Sequence, residues 1–514
     1  MTEEKPTTEP ATKSVLKRNL VANFGGTIWQ ALMGFAFIPL YVRFMGIESY
    51  GLVAFYATLQ SVFALFDVGL GNTLTRELAR LSVKPGSGQE TRNLVRTLET
   101  LYWIIALFAG TVVVLLSSLI AHHWLNPAQL PQSTAEQAVL IMGFIIVFQM
   151  PVSFYTGGLM GLQKQVLLNV LNVCISTLRA GGAVLVLWKV APTIQAFFVW
   201  QICLSVATVA VFQRLLWRNL PAAEAAPSFE GRLLKGIWKF SAGMGGISVL
   251  AVILTQLDKI VLSKMLPLEE FGYYMIASVV AMSLGRVFTP VFFSIYPRFT
   301  QLVSVKDHES LRLLYHKVCQ FMSVLVLPAA AVVAFFSYDV ILLWTQNPTT
   351  AEKTHLIVSV MIGGTALNGI MNPPYALQLA FGWTKLSVIK NIIAVIIVGP
   401  LIVLLTNSYG AVGAAGAWLI LNIGYVLFEI PVMHGRILQR EMWQWYRRDF
   451  AVPVAVGLAM AGGGRLLLSH ASSQPQMLFQ LILISSLTLG FTLFSVPAVR
   501  VIFLQHLPGR RHLP

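Results

Sequence analysis

The sequence predicts an all-α polytopic membrane protein of about fourteen transmembrane helices: two six-helix lobes related as a parallel repeat, then two more helices. Three observations lead there. Of 514 residues, 56% are hydrophobic and only 11% charged, with a mean hydropathy of +0.72, which is more apolar surface than a water-soluble fold can cover. The apolar residues gather in segments close to the roughly 20 residues a helix needs to cross a hydrocarbon layer of about 30 Å. The chain also repeats itself at a constant offset of 221 positions.

The predicted crossings are 20–44, 50–70, 98–121, 138–160, 166–188, 194–216, 237–262, 271–295, 318–343, 356–380, 386–406, 412–432, 451–468 and 478–503. The formal net charge of +15 raises the question of a nucleic-acid partner, and its distribution answers it. Basic residues occupy the N-terminal tail and every second loop after it, from Arg76, Arg80, Lys84, Arg92 and Arg96 in the first to Arg436, Arg440, Arg447 and Arg448 in the last. The intervening loops hold little beyond Arg43, Lys189, Lys264, Lys353 and Arg465. This is the positive-inside pattern, with both termini cytoplasmic, and no nucleic acid is implied. Cys174, Cys203 and Cys319 are too scattered for a disulfide framework, and the first apolar run lacks a cleavage site and reads as a retained helix.

At the 221-residue offset, Arg43-Phe-Met-Gly-Ile-Glu-Ser-Tyr-Gly51 lies over Lys264-Met-Leu-Pro-Leu-Glu-Glu-Phe-Gly272, Arg96 over Lys317, and Gly161-Leu-Gln-Lys164 over Gly382-Trp-Thr-Lys385. Six crossings per copy give the two copies one orientation. The expected organisation is an N-lobe at 1–218, a cytoplasmic linker at 219–231, a C-lobe at 232–436 and the extra helices with a tail at 437–514. Two such bundles can rock about a cavity between them, the physical basis of alternating access; the plainer reading of the duplication is a stable scaffold.

Ionisable groups at hydrocarbon depth cost roughly 2.5–3.5 kcal/mol each on insertion scales, so each asks for a reason. Arg179 lies mid-helix, beyond snorkelling reach, and should face either a wet cavity or a partner acid such as Asp67. Asp67 and Arg286 fall at nearly the same depth of the second helix of each copy, which suits a breakable cross-lobe pair or two independent groups. Asp258 and Lys259 are adjacent and point about 100° apart, so that one of them should face the lumen. Glu429, near a helix end, reads as solvated. Asn169, Asn172, Asn368, Asn372, Asn391 and Asn422 could bind sugar hydroxyls or link helices. Prolines at 151, 290, 373, 374 and 400 interrupt helices, and Gly243, Gly245 and Gly246 thin the seventh. There is no phosphate-cradling glycine loop, no metal-ligand spacing and no acid-rich outer loop, so neither an enzyme nor a cofactor is expected.

The run Pro39-Leu-Tyr-Val-Arg43, then Gly46-Ile-Glu-Ser-Tyr-Gly51, then Phe66-Asp-Val-Gly-Leu-Gly71 leading into Leu74-Thr-Arg76, resembles the Wzx-type polysaccharide flippases for O-antigen and exopolysaccharide. These belong to the multidrug/oligosaccharidyl-lipid/polysaccharide exporter superfamily. Gln256-Leu-Asp-Lys-Ile-Val-Leu262 and Glu270-Phe-Gly-Tyr-Tyr274 are similar to the matching second-lobe segment.

The resemblance implies an undecaprenyl-diphosphate-linked oligosaccharide moved from the cytoplasmic to the periplasmic face of a bacterial inner membrane. It also implies membrane lipids as partners, with a glycan polymerase and a chain-length regulator as associated proteins. Substrate contacts would fall to Arg76, Arg179, Lys259, Arg286 and Arg298, and ion-gradient coupling or gating to Asp67, Asp258 or Glu429. The rival is a cation-coupled multidrug or metabolite antiporter of the same fold, but the first predicted helix lacks the acid that such antiporters carry. A scaffold subunit for glycan-assembly enzymes is a third reading.

Overall fold

The computed structural model describes residues 25–67, 69–82, 84–234, 252–253, 255–468, 473–497 and 500, and among these residues there is no strand. Among the described residues, twelve helices are long and apolar enough to cross a membrane. Two features account for the difference from fourteen. Residues 237–262, the predicted seventh crossing, lie largely outside the described residues. The predicted eleventh and twelfth crossings merge into one 53-residue helical span, Thr384–Arg436, broken at Gly410, whose φ of 57° departs from helical geometry. Leu405 and Gly413 meet across that break so closely that a Cβ on Gly413 would sit 2.0 Å from the Leu405 carbonyl oxygen.

The helices used below are α1 (Gly25–Met45), α2 (Ile47–Phe63), α3 (Leu70–Leu81), α4 (Gly88–Leu115), α5 (Gln132–Gly161), α6 (Gln165–Lys189) and α7 (Ile194–Asn219). They continue with α8 (Leu268–Ser283), α9 (Gly285–Ser304), α10 (His308–Phe335), α11 (Pro348–Ile370), α12 (Asn372–Ala380), α13 (Thr384–Gly424), α14 (Ile430–Arg436), α15 (Val452–Leu467) and α16 (Gln474–Ser495). The chain divides into two compact units, Met1–Gly272 and Tyr273–Pro514.

In the first unit, α3, α4, α5 and α7 share a core in which Leu74, Val95, Leu98, Phe154, Leu159, Phe212 and Leu216 are fully buried. At one end of this unit the 221-residue register becomes a contact. A Cβ on Gly51 would lie 2.4 Å from the carbonyl oxygen of Leu268, and a Cβ on Gly272 would lie 2.7 Å from that of Ile47. Ile47 and Leu268 stand at the same offset as the two glycines, so equivalent helix starts cross each other glycine to backbone. The buried Glu48 carboxylate ties the next loop to this crossing by accepting the N–H groups of Ala128, Gln129 and Leu130. That loop also reaches the second repeat: Trp124 Nε1 donates to Ser263 Oγ at 3.0 Å, and Asn126 Nδ2 to the Lys264 carbonyl at 2.7 Å.

In the second unit, α15 and α16, the helices beyond the repeat, pack on α10 through Ala331, Val332, Phe336, Ala461 and Ile484. Arg465 donates to Asp339 at 2.8 Å. A further polar knot anchors the approach to α15: His316 bonds Asp449 through Nδ1 and Glu441 through Nε2, and Gln320 donates to Asp449 at 2.8 Å.

The glycine crossing leaves no room for a side chain. Gly51→Val should cost about 1–3 kcal/mol through overpacking and lower the thermal midpoint of the detergent-purified protein. Gly424→Ala, where an added Cβ meets nothing within 4 Å, should leave that midpoint unchanged or slightly raised.

Candidate functional site

The Phe66-Asp-Val-Gly-Leu-Gly71 motif makes a break between helices. After α2 the chain tightens into one 3-10 turn, Ala64–Asp67, and Gly69 adopts φ 72°, a left-handed conformation that suits glycine. The Asp67 carboxylate then accepts the Gly71 N–H at 3.2 Å, satisfying an amide at the start of α3 that has no helical partner. Gly71 and Gly157 let α3 and α5 approach so closely that a Cβ on Gly157 would lie 2.5 Å from the Gly71 carbonyl. Thr75 Oγ1 closes the same seam by donating to the Gly157 carbonyl at 2.8 Å.

This approach frames a cavity of about 300 Å³ lined by Gln60, Asp67, Tyr102, Gln149, Met150 and Ser153, with Phe63, Ala64 and Ile146. The Tyr102 hydroxyl is shared between Asp67 and Ser153 Oγ, the latter at 2.6 Å. Across the cavity, Gln149 Oε1 accepts from Arg179 at 2.9 Å and from Ser205 Oγ at 3.2 Å. The alternative in which Asp67 neutralises Arg179 therefore does not hold: the arginine's hydrogen bond goes to a neutral amide. An acid lines the cavity, and a base reaches one of the cavity's lining residues through a neutral amide, an arrangement that suits a polar or charged occupant.

The remaining candidates fall elsewhere. Arg76, on the exposed side of α3, lines a separate cavity at that helix's C-terminal end. Asp258 and Lys259, expected to diverge, pair with each other at 3.3 Å, and Lys259 also donates to the Thr255 carbonyl. The four-carbon lysine stem folds back far enough to overcome the angle between neighbouring residues. In the second unit, Arg286 is exposed on α9 with no hydrogen bond or ion pair among the described residues, and Arg298 donates to Gln301 at 3.1 Å.

Glu429 corrects the expectation of a solvated carboxylate. It is 4% exposed, at the end of a π turn (Tyr425–Glu429), and both its oxygens bind Lys390 Nζ at 2.8 Å, while Gln378 donates to one of them at 2.8 Å. Tyr375 and Tyr425 lie within about 5 Å of the same ammonium, which completes its cage. Among the asparagines, Asn368 donates to Asn422 at 3.0 Å and links α11 to α13, which is the helix-joining reading.

Sequence reasoning missed three hubs: the Lys390 cage, the His316–Asp449 knot, and Glu99. Glu99 is 2% exposed and accepts from Tyr155 at 2.7 Å, Gln213 at 2.9 Å and Trp217 at 3.2 Å, with Arg96 at 3.4 Å. It binds α4, α5 and α7 together. The one available signal was a carboxylate followed immediately by Thr100, Leu101 and a long apolar run.

Bundled membrane-spanning helices, hydrogen-bonded charges at depth and a polar cavity within the first unit define a multi-pass transporter-type membrane protein. Residues 16–303, more than half of the chain, match the family described as polysaccharide biosynthesis protein, and the chain belongs to that family. A curated relative from Shigella flexneri, named "Putative O-antigen transporter", is 20% identical over 406 residues, 79% of this chain and 94% of the relative. The fold is similar to that of the lipid II flippase MurJ in an inward closed conformation, with TM-score 0.69, 16% identity, and 95% and 98% of the two chains covered. It is also similar to an inward-facing MATE multidrug transporter, with TM-score 0.63, 13% identity, and 81% and 96% covered. The architecture is that of transporters and flippases, not of an enzyme.

The Lys390–Glu429 pair supplies a clean double-mutant test. Lys390→Met leaves a buried carboxylate unpaired and should cost about 3–5 kcal/mol, read as a fall in thermal midpoint. Lys390→Met with Glu429→Gln should recover most of that loss.

Proposed function

We propose that the protein flips an undecaprenyl-diphosphate-linked oligosaccharide from the cytoplasmic to the periplasmic face of a bacterial inner membrane by alternating access, with both termini cytoplasmic. The observation that carries this reading is the first unit's polar cavity, lined by Asp67 and by Gln149, the neutral acceptor of Arg179, in a chain of the polysaccharide biosynthesis family. A glycan needs hydroxyl and amide partners in water, and Gln60, Tyr102, Gln149 and Ser153 provide them. An anionic diphosphate needs cations, and Arg179 is the one nearest that wall; Arg76, Arg286 and Arg298 are further candidates along the path. Lys259, already paired with Asp258, is the weakest of the set.

Coupling to an ion gradient falls most naturally to Asp67. It is half-buried, faces the cavity and also caps α3, so a change in its protonation reaches the helix break directly. Asp258 and Glu429 are held by lysines and serve better as structural pairs. The linker joining the repeats and the duplicated helices support two lobes that move against each other.

Deletion of the gene should accumulate undecaprenyl-linked oligosaccharide on the cytoplasmic face and deplete surface glycan. Unchanged glycan with altered drug sensitivity would instead point to the antiporter reading and overturn this one. In the complemented strain, Arg179→Ala should lower glycan export about tenfold or more, the scale of a lost charge-assisted hydrogen bond, at unchanged protein level. Full export by that variant removes Arg179 from the path.

A further inference from the structure

In the second unit, the exposed face of α9 combines groups that hydrocarbon tolerates poorly. Pro290 and Pro297 lie inside the helix and lack the N–H that would bond the carbonyl four residues back, so the carbonyls of Arg286 and Phe293 lose their usual helical donors. Arg286 is exposed, and Phe293, two turns further along the same face, is 68% exposed. A carbonyl without its donor and a bare guanidinium are both costly against lipid. This face is therefore built for polar surroundings, although it carries aromatic rings.

Those rings form an ordered row. Tyr296 lies parallel to Phe292, with centroids 6.1 Å apart and planes within 1°, and Phe292 lies at 17° to Tyr375 of α12, at 5.7 Å. Tyr375 in turn flanks Lys390, whose ammonium lies 5.2 Å from its ring centroid and 4.9 Å from that of Tyr425. Because Glu429 holds that ammonium, the ion pair fixes one end of the row. Tyr296 forms the other end and is 36% exposed. The hydroxyls of Tyr296, Tyr375 and Tyr425 make no hydrogen bond among the described residues. A ring used only as apolar filler gains nothing from its hydroxyl; three open phenols on one array offer donors and acceptors to a ligand.

An apolar occupant would leave the phenols and the freed carbonyls unsatisfied. A sugar ring suits both kinds of group. Its C–H face carries the partial positive charge that the negative face of an aromatic ring attracts, and its hydroxyls reach polar atoms at the edges. We infer that the aromatic row of α9 and α12 is a saccharide-binding subsite, in which Tyr296 stacks on a sugar ring while the phenols and the freed α9 carbonyls bond its hydroxyls. The choice of a sugar as occupant rests on the glycan reading above. The place does not: none of these residues lines the Asp67 cavity.

Saturation-transfer NMR reads this subsite without transport. The full-length protein in phosphatidylcholine nanodiscs would be mixed with repeat-unit oligosaccharide released by mild acid from the source strain's surface glycan. The wild-type protein should saturate the ring C–H protons of the sugar. Tyr296→Phe, which keeps the ring and removes one hydroxyl, should raise the dissociation constant about fivefold, and Tyr296→Leu, which removes both, about tenfold or more. Phe479→Leu, at an exposed ring on α16, should leave it unchanged. No saturation with the wild-type protein, or undiminished affinity in Tyr296→Leu, overturns the subsite; should Tyr296→Leu fail to fold, Tyr296→Phe decides in the same way. The two readings separate cleanly. Sugar binding with export unaffected by gene deletion keeps the subsite and overturns the flippase, whereas lost export without sugar binding overturns the subsite alone.

Discussion

Hydrocarbon offers no partner to a backbone amide or a charged side chain, so every polar group at that depth must be satisfied by protein or by trapped water. The helices meet this requirement for the backbone, and the buried carboxylates Glu99, Glu429 and Asp449 meet it in hubs. Glu99 gathers a tyrosine, a glutamine and a tryptophan from two neighbouring helices; Glu429 takes a lysine and a glutamine; Asp449 takes a histidine and a glutamine. Each hub joins elements that apolar packing alone would leave free to slide. The polar residues thereby fix which helices are neighbours, while the leucines and phenylalanines fill the space between them.

What could be read from the sequence follows the same division. Helix length and apolar content are properties of one segment, and the crossings were legible for that reason. The repeat was legible as well, and the reciprocal approach of Gly51 and Gly272 gives its register a physical cause: a residue that must lie against the partner's carbonyl cannot carry a side chain in either copy. The hubs were not legible. Lys390 and Glu429 are 39 positions apart, and His316 and Asp449 are 133 apart, with no spacing that marks them as partners. Glu429 lay near a helix end and looked wet; only the lysine of the preceding arm and the aromatic rings around it reveal a buried pair. Asp258 and Lys259 failed for a different reason, since helix geometry sets where a side chain starts and not where a flexible one ends.

The candidate site was half legible. The Asp67 motif and Arg179 stood out as charges without an evident reason for being at that depth, yet nothing in the sequence joined them to Gln149. That glutamine is what distinguishes the cavity from the hubs. Lys390 with Glu429 is a closed account, each charge held by its opposite, and separating the two leaves both uncompensated in a poor solvent. At Arg179 the acceptor is the neutral amide of Gln149, and the Asp67 carboxylate is met by an amide N–H and a hydroxyl. Neutral partners can be exchanged for a ligand's hydroxyls or for water at small net cost. A protein that must pass a polar cargo needs both kinds of charge: those locked in pairs to hold its helices in register, and those held by neutral partners, ready to be handed over.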